Sequence, residues 1–280
     1  MSVNSTDTVD TRRLKEIACQ IRVEVLKAVH AAGYGHVGGN LSIAEILAVL
    51  YFRVVRVDPR NPGWPDRDRV FLSKGHTAAG MYTALALKGF FPLDELATIG
   101  KPGSRLQSHV DIKAPGVESP FGALGQGASV AVGMALGARM DGKPFRVYAI
   151  LSDGEHEEGS TWEAVMSAAH YKLDHLTFII DYNNVQLWKS VPEIMNIAPL
   201  AKKYEAFGWN TIEVDGHDPD ALLAAFETAA DNRGRPTAVI AKTIKGKGVS
   251  FMENQAAWHG KAPTSEELAK ALAELGSASA

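Results

Sequence analysis

One cysteine stands in 280 residues, so no disulfide can form within the chain. Its position, Cys19, falls in an amphipathic helical stretch and favours apolar packing over nucleophilic chemistry. No apolar run approaches the roughly 18 residues that span a bilayer, and the first ten residues carry no basic-then-apolar leader. These absences point to a cytoplasmic protein with no membrane partner. An excess of one charge is missing too: 29 Lys and Arg against 32 Asp and Glu leave a net charge of -3, which gives no reason to expect nucleic acid as a partner. Neither an internal repeat nor a low-complexity tract is present. What remains is an ordinary globular composition, 46% hydrophobic and 22% charged, long enough to bury a substantial core. The expected organisation is a disordered tail over 1–10, one domain over 11–275 and a short tail over 276–280.

Helical spacing is clear from Arg12 to Ala32, where Leu14, Ile17, Ala18, Ile21, Val25 and Leu26 recur at three- and four-residue steps. Ser42 is placed to cap a helix reaching about Arg53. A short strand is expected over 68–73 and helices over 77–88 and 126–140. Two apolar strands follow, Val147 to Leu151 and Leu176 to Ile180, joined by a crossover helix from Gly159 to Tyr171. A strand over 209–214, a helix over 219–232, a strand over 237–242 and a closing helix over about 264–275 complete the pattern. Strands alternating with helices predict an α/β fold, a doubly wound parallel sheet with helices on both faces. The stretches 56–67, 100–125 and 243–262 are rich in Gly, Pro and polar residues, and the last two are long for idle loops.

Asp153 ends the first of the two apolar strands and Asn183 ends the second. Neighbouring strands of a parallel unit finish on the same carboxyl edge, where open α/β sheets bind ligands. A carboxylate, an amide oxygen, a backbone carbonyl and two diphosphate oxygens would give Mg²⁺ the hard oxygen shell it prefers. Gly154 lets the backbone approach phosphate closely. Four histidines, His36, His76, His109 and His259, lie in Gly- or Ser-rich loops. Imidazoles both donate and accept, which suits polyhydroxylated substrates and proton transfer; metal ligation by the same set is disfavoured because none has a close His or Cys neighbour at ligand spacing. Gly122 to Gly127 leads into a helix whose free N–H groups, Gly125 among them, could receive an anion, or whose small residues serve close packing. Glu158 starts the crossover helix, where a carboxylate complements the helix dipole. Lys245-Gly246-Lys247-Gly248 reads either as a basic turn over phosphate or as a solvated loop.

The segment Ser152-Asp153-Gly154 with Asn183 resembles the thiamine-diphosphate signature, Gly-Asp-Gly followed at a set interval by Asn. The blocks Gly35-His36-Val37-Gly38-Gly39-Asn40, Leu72-Ser73-Lys74-Gly75-His76, Ser108-His109, Phe121 to Gly127 and Trp258-His259-Gly260 are similar to those of the amino-terminal half of transketolases, in family order. The resemblance implies a thiamine-diphosphate fold of the diphosphate-binding (PP) type and transfer of a two-carbon ketol unit from a ketose phosphate to an aldose. It implies Mg²⁺ (or Ca²⁺ or Mn²⁺) on Asp153, Asn183 and the Val185 carbonyl. Histidines matching 36, 76, 109 and 259 would line the substrate channel, with His76 also at the diphosphate, and Gly122 and Leu124 would border the cofactor's rings. Glu158 would reach the partner's catalytic glutamate. Because that glutamate belongs to a domain beyond this sequence, the resemblance implies the alpha subunit of a split enzyme, with a separate beta subunit in an α₂β₂ assembly. Two positions depart from the pattern: Ser152 replaces the first glycine, and Val37 replaces a proline. Alternatives are the alpha subunit of a 2-oxo-acid dehydrogenase, a deoxyxylulose-phosphate synthase fragment and a non-catalytic scaffold of the same fold.

Overall fold

Five parallel strands form the centre of the structure, a computed structural model that describes residues 9–278. The expected amino-terminal tail, apart from Val9 and Asp10, and the last two residues of the carboxyl-terminal one lie outside the described residues. The strands are β1 (Arg69–Leu72), β2 (Val147–Ser152), β3 (Leu176–Tyr182), β4 (Asn210–Asp215) and β5 (Thr237–Lys242), in the order β1-β2-β3-β5-β4. The middle strands are near-continuous apolar runs because both of their faces are covered; β2 is buried at every position, whereas the edge strand β4 is half exposed. The helices are α1 (Thr11–Ala32), α2 (Val37–Leu41), α3 (Ala44–Val49), α4 (Ala78–Lys88), α5 (Gln126–Met140), α6 (Gly159–His170), α7 (Val191–Ile194), α8 (Leu200–Ala206), α9 (Pro219–Asp231) and α10 (Ser265–Ala278). One face of the sheet carries α5, α6 and α8, while α9 packs with α1 and α3 on the other.

Helix α1 starts where the Asp10 carboxylate accepts from the Arg13 amide, at 2.8 Å, and stops at Gly33, whose φ of 75° closes the last turn. Its expected apolar stripe is buried. Register brings the strand ends level: Ser152 of β2 lies opposite Asp181 of β3, and Asp181 opposite Ala241 of β5. That levelling puts the loops after β1, β2, β3 and β5 at one edge.

Three expectations change. Ser42 does not start a helix: it closes α2, with its amide on the Gly38 carbonyl, and Ile43 precedes α3. The Ser42 hydroxyl, fully buried, donates to the Gly39 carbonyl and to the Asp181 carboxylate, and the next helix begins two residues later and ends in a π-helical turn over Leu50–Val54. The closing helix runs to Ala278 rather than about 275. Short helices at Val37–Leu41, Val191–Ile194 and Leu200–Ala206 lie in stretches too brief for periodicity to register.

A buried ion cluster fastens α1 to α3 and to the turn after β4. Arg22 holds Glu45 through both guanidinium nitrogens, at 2.7 and 2.5 Å, and His217 Nδ1 sits 2.9 Å from the same carboxylate. Burial alone would raise the Glu45 carboxyl, but the Arg22 charge and the hydrogen bonds from His217 and Arg22 outweigh it and hold the group at about 2 instead of 4.5. A depressed carboxyl contributes its stability above its unfolded value and loses it as the proton returns. The contribution, on the order of 3 kcal/mol at 1.36 kcal/mol per unit, is therefore complete above pH 4.5 and disappears as pH falls through about 2. Acid unfolding followed by circular dichroism should show this loss in the native chain, and Glu45→Gln should lack it.

Candidate active site

Each loop at the carboxyl edge delivers one part of a single cavity of about 240 Å³. The turn after β1 brings Lys74 and His76, the turn after β2 brings Asp153 and Gly154, the end of β3 brings Asn183 and Val185, and the segment after β5 brings Lys245. His36, from the loop before α2, and His109 and His259, from the long loops, close it together with Gly122 and Leu124. All four expected histidines meet here: the rings of His36 and His76 are 5.0 Å apart, His36 and His259 5.2 Å, His76 and His259 5.4 Å, and His36 and His109 6.0 Å.

Burial lowers the proton affinity of three of these imidazoles, His36, His76 and His259. His76 is driven well below its usual value, first by burial and then by the charge of Lys74, and His259 falls to about 3 through burial and Lys245. Lys245 Nζ is 3.0 Å from His259 Nδ1, and an ammonium has only protons to give. The acceptor nitrogen of His259 is thus occupied and its Nε2 carries the hydrogen. Neutral rings with one donor and one acceptor suit sugar hydroxyls.

Asp153 is 2% exposed, and its oxygens accept from the amides of Gly154 and Asn184 at 2.9 and 2.5 Å. Burial, with the negative charge of Asp181 adding to it, pushes the carboxyl up to about 7. Asn183 Nδ2 donates to Asp181, which fixes the amide and turns Oδ1 the other way, toward the Val185 amide. Among the described residues no three His, Cys, Asp or Glu side chains gather as a metal site. A divalent ion at Asp153 would relieve the buried carboxylate, yet it meets one carboxylate, one amide oxygen and backbone carbonyls. Such a donor set fits an ion shared with the oxygens of a phosphate ligand.

Two expected residues stand outside the lining. Glu158 is exposed and caps α6 with no side-chain bond to it. Gly125, at φ 78°, is buried against Glu158 and Ser160, and its amide donates to Glu155 Oε1 at 2.9 Å. That anion receptor is satisfied from inside the protein.

Sequence reasoning missed Glu155, Lys74 and Asp181. Glu155 is wholly buried, and its carboxylate accepts from Ser73 Oγ, the Gly125 amide and the Ser152 amide and hydroxyl. It locks the three turns that surround Asp153. Asp181 is also wholly buried; it pairs with Lys74 and accepts from Ser42, Thr243 and Asn183. A charged residue inside an apolar strand, Ile179-Ile180-Asp181-Tyr182, was the available signal. The solvated alternative for the 245–248 turn also fails at Lys245, which is 2% exposed with its Nζ on the Val185 carbonyl at 3.0 Å.

This arrangement has close relatives. The transketolase thiamine-diphosphate-binding domain profile matches residues 14–280. The chain belongs to the transketolase family. It is 47% identical over 263 residues to the 6-deoxy-6-sulfo-D-fructose transketolase subunit of Clostridium sp. (strain MSTE9), covering 94% of this chain and 96% of that one. An apulose-4-phosphate transketolase subunit of Actinobacillus succinogenes is 44% identical, covering 95% and 96%. Among solved structures, the transketolase of Campylobacter jejuni superposes with a TM-score of 0.89 at 32% identity, covering 94% of this chain but 42% of the other. The chain therefore matches the subunit-sized members end to end and the longer transketolases over one part. Family membership removes the 2-oxo-acid dehydrogenase alternative.

Glu155→Ala would strip the acceptor from four buried donors. The expected cost is about 4 kcal/mol or more, at about 1–3 kcal/mol per unsatisfied group, measured as a shift in the urea midpoint.

Proposed function

We propose that this chain is the cofactor-holding subunit of a split transketolase. It transfers a two-carbon ketol unit from a ketose phosphate to an aldose acceptor, and a separate beta chain supplies the activating glutamate. The observation that carries this reading is the convergence of four histidines, the Asp153/Asn183 pair and two lysines on one cavity. Bound there, thiamine diphosphate supplies the carbanion chemistry that cleaves and forms the carbon–carbon bond.

Asp153, Asn183 and the Val185 carbonyl would hold Mg²⁺ and, through it, the diphosphate. Lys74 and Lys245 add positive charge beside it. His76 is assigned to the diphosphate and a donor hydroxyl, while His36, His109 and His259 orient hydroxyls and exchange protons with them. Gly122 and Leu124, in the cavity lining, would border the cofactor's rings. Glu158, exposed next to Gly125, is available to the partner's glutamate.

A partner subunit is supported by apolar side chains left in solvent beside the cavity. Leu187 and Trp188, two and three residues past Val185, are 51% and 82% exposed, and Ile194 and Met195 are exposed as well. An α₂β₂ assembly in the cytoplasm belongs to the same reading, the latter resting on the cysteine count. The sugars named for the two relatives above differ, 6-deoxy-6-sulfo-D-fructose in one and apulose-4-phosphate in the other. Ketol transfer is the common element; central pentose-phosphate metabolism and a dedicated pathway are both compatible with it.

Titration calorimetry of thiamine diphosphate with Mg²⁺ into the chain mixed with its beta partner should give tight, metal-dependent binding. Asp153→Ala should abolish that binding while the fold persists; unchanged affinity would remove the metal assignment. The chain alone should show no ketol transfer, and a normal rate from it would overturn the split-site reading.

A further inference from the structure

Lys245 reaches the cavity from the segment after β5, so what fixes that main chain helps to place the ammonium. Thr243 is pinned by its amide on the Tyr182 carbonyl and by its hydroxyl on Asp181. Gly246 donates to the Gly38 carbonyl at 2.9 Å. Between these points, the Ile244 amide, next to Lys245, donates to a side chain: His217 Nε2, at 2.8 Å. The other ring nitrogen, Nδ1, faces the Glu45 carboxylate that Arg22 neutralises.

We propose that His217 is a positioning residue for Lys245: as a neutral imidazole it passes the orientation of the buried Arg22–Glu45 pair to the Ile244 amide. The two partners leave one arrangement. An amide can only donate, so Nε2 must be bare; a carboxylate can only accept, so Nδ1 must carry the hydrogen. His217 itself is anchored by its amide on Asp215 Oδ1 at 2.8 Å. The ring thus bridges the β4–α9 turn and the segment after β5, 28 residues apart in sequence from His217 to Lys245. The inference rests on the functional reading only in the value it gives to Lys245.

Nitrogen-15 correlation spectra of the imidazoles in the full-length chain at neutral pH test the tautomer directly. His217 should show a protonated Nδ1 and a bare Nε2; an Nε2–H tautomer or an imidazolium would overturn the proposal. In His217→Phe, which removes the acceptor, amide exchange at Ile244 should quicken by about tenfold, the scale of one buried hydrogen bond, with β5 at Val239 unchanged. Exchange that is unchanged at Ile244, or that rises equally across the sheet, would show a merely structural ring. In complex with the beta partner, His217→Phe should weaken thiamine-diphosphate binding by about tenfold, and His217→Gln, whose Oε1 returns an acceptor near the Nε2 position, should recover most of it. Should the Phe variant fail to fold, the wild-type tautomer and the Gln variant still decide. Absent cofactor binding by the wild-type mixture would count against the functional reading, while tautomer and exchange continue to judge His217.

Discussion

The carboxylate of Asp181 is the point on which the cavity's geometry depends. It lies in the middle of the sheet edge, with no water to solvate it, and four different segments supply its partners. Lys74 comes from the turn after β1, Ser42 from the end of α2, Thr243 from the end of β5 and Asn183 from the end of β3 itself. Burial by itself would raise this carboxyl, and the Lys74 ammonium with the surrounding hydrogen bonds reverses the shift and keeps it ionised. A buried ion pair adds little net stability compared with a well-packed apolar pair, but breaking it by removing one partner costs about 3–5 kcal/mol. Its value here is therefore positional. These four segments cannot drift relative to one another without stranding a charge.

The same carboxylate sets the electrical character of the cavity. Lys74 is neutralised from below by Asp181, yet its charge, with that of Lys245, still reaches the histidines and holds their affinity for protons down. Asp181 also opposes ionisation of Asp153, the carboxyl assigned above to the proposed metal. In the proposed complex, a divalent ion bound with a diphosphate would take the place of a proton on Asp153 and offset the negative charge of Asp181. Metal and anionic cofactor would enter such a site together more readily than either alone.

What could be read from the sequence was whatever repeats or recurs in known spacing. The strands over 147–151, 176–180 and 237–242 carry a dense apolar signal, and the helix over 126–140 was placed at its observed bounds. The four histidines and the Asp153/Asn183 pair were legible because their flanking blocks match a family. Burial of polar groups was not. Ser42 has the look of a helix start and serves Asp181 instead; Lys245 has the look of a solvated lysine and is sealed by the Val185 carbonyl and His259. Glu155, in a run of acidic residues that suggests exposure, is wholly buried because three loop turns each need an acceptor. Such roles arise largely from partners distant in sequence, 30 positions for Gly125 and Glu155, 60 for Val185 and Lys245, and 139 for Ser42 and Asp181, which local periodicity cannot encode.

Both departures from the family pattern become intelligible in the same terms. Val37 occupies the first position of α2, where a proline is favoured because the first amide of a helix has no intrahelical partner. Valine can stand there without disturbing the turn, and it is fully buried, so packing replaces backbone rigidity as the device that holds His36. Ser152 stands where glycine is commonest, and its amide bonds Glu155 as a glycine amide could, at 2.7 Å. The extra hydroxyl is absorbed by the same carboxylate at 3.3 Å. A side chain is tolerated at 152 because Glu155 lies beside it with acceptor capacity to spare, so the identity of residue 152 and the presence of a buried glutamate three positions later are physically linked. Replacing Glu155 by an apolar residue would strand the serine hydroxyl as well as the amides, a penalty that a glycine at 152 would lessen.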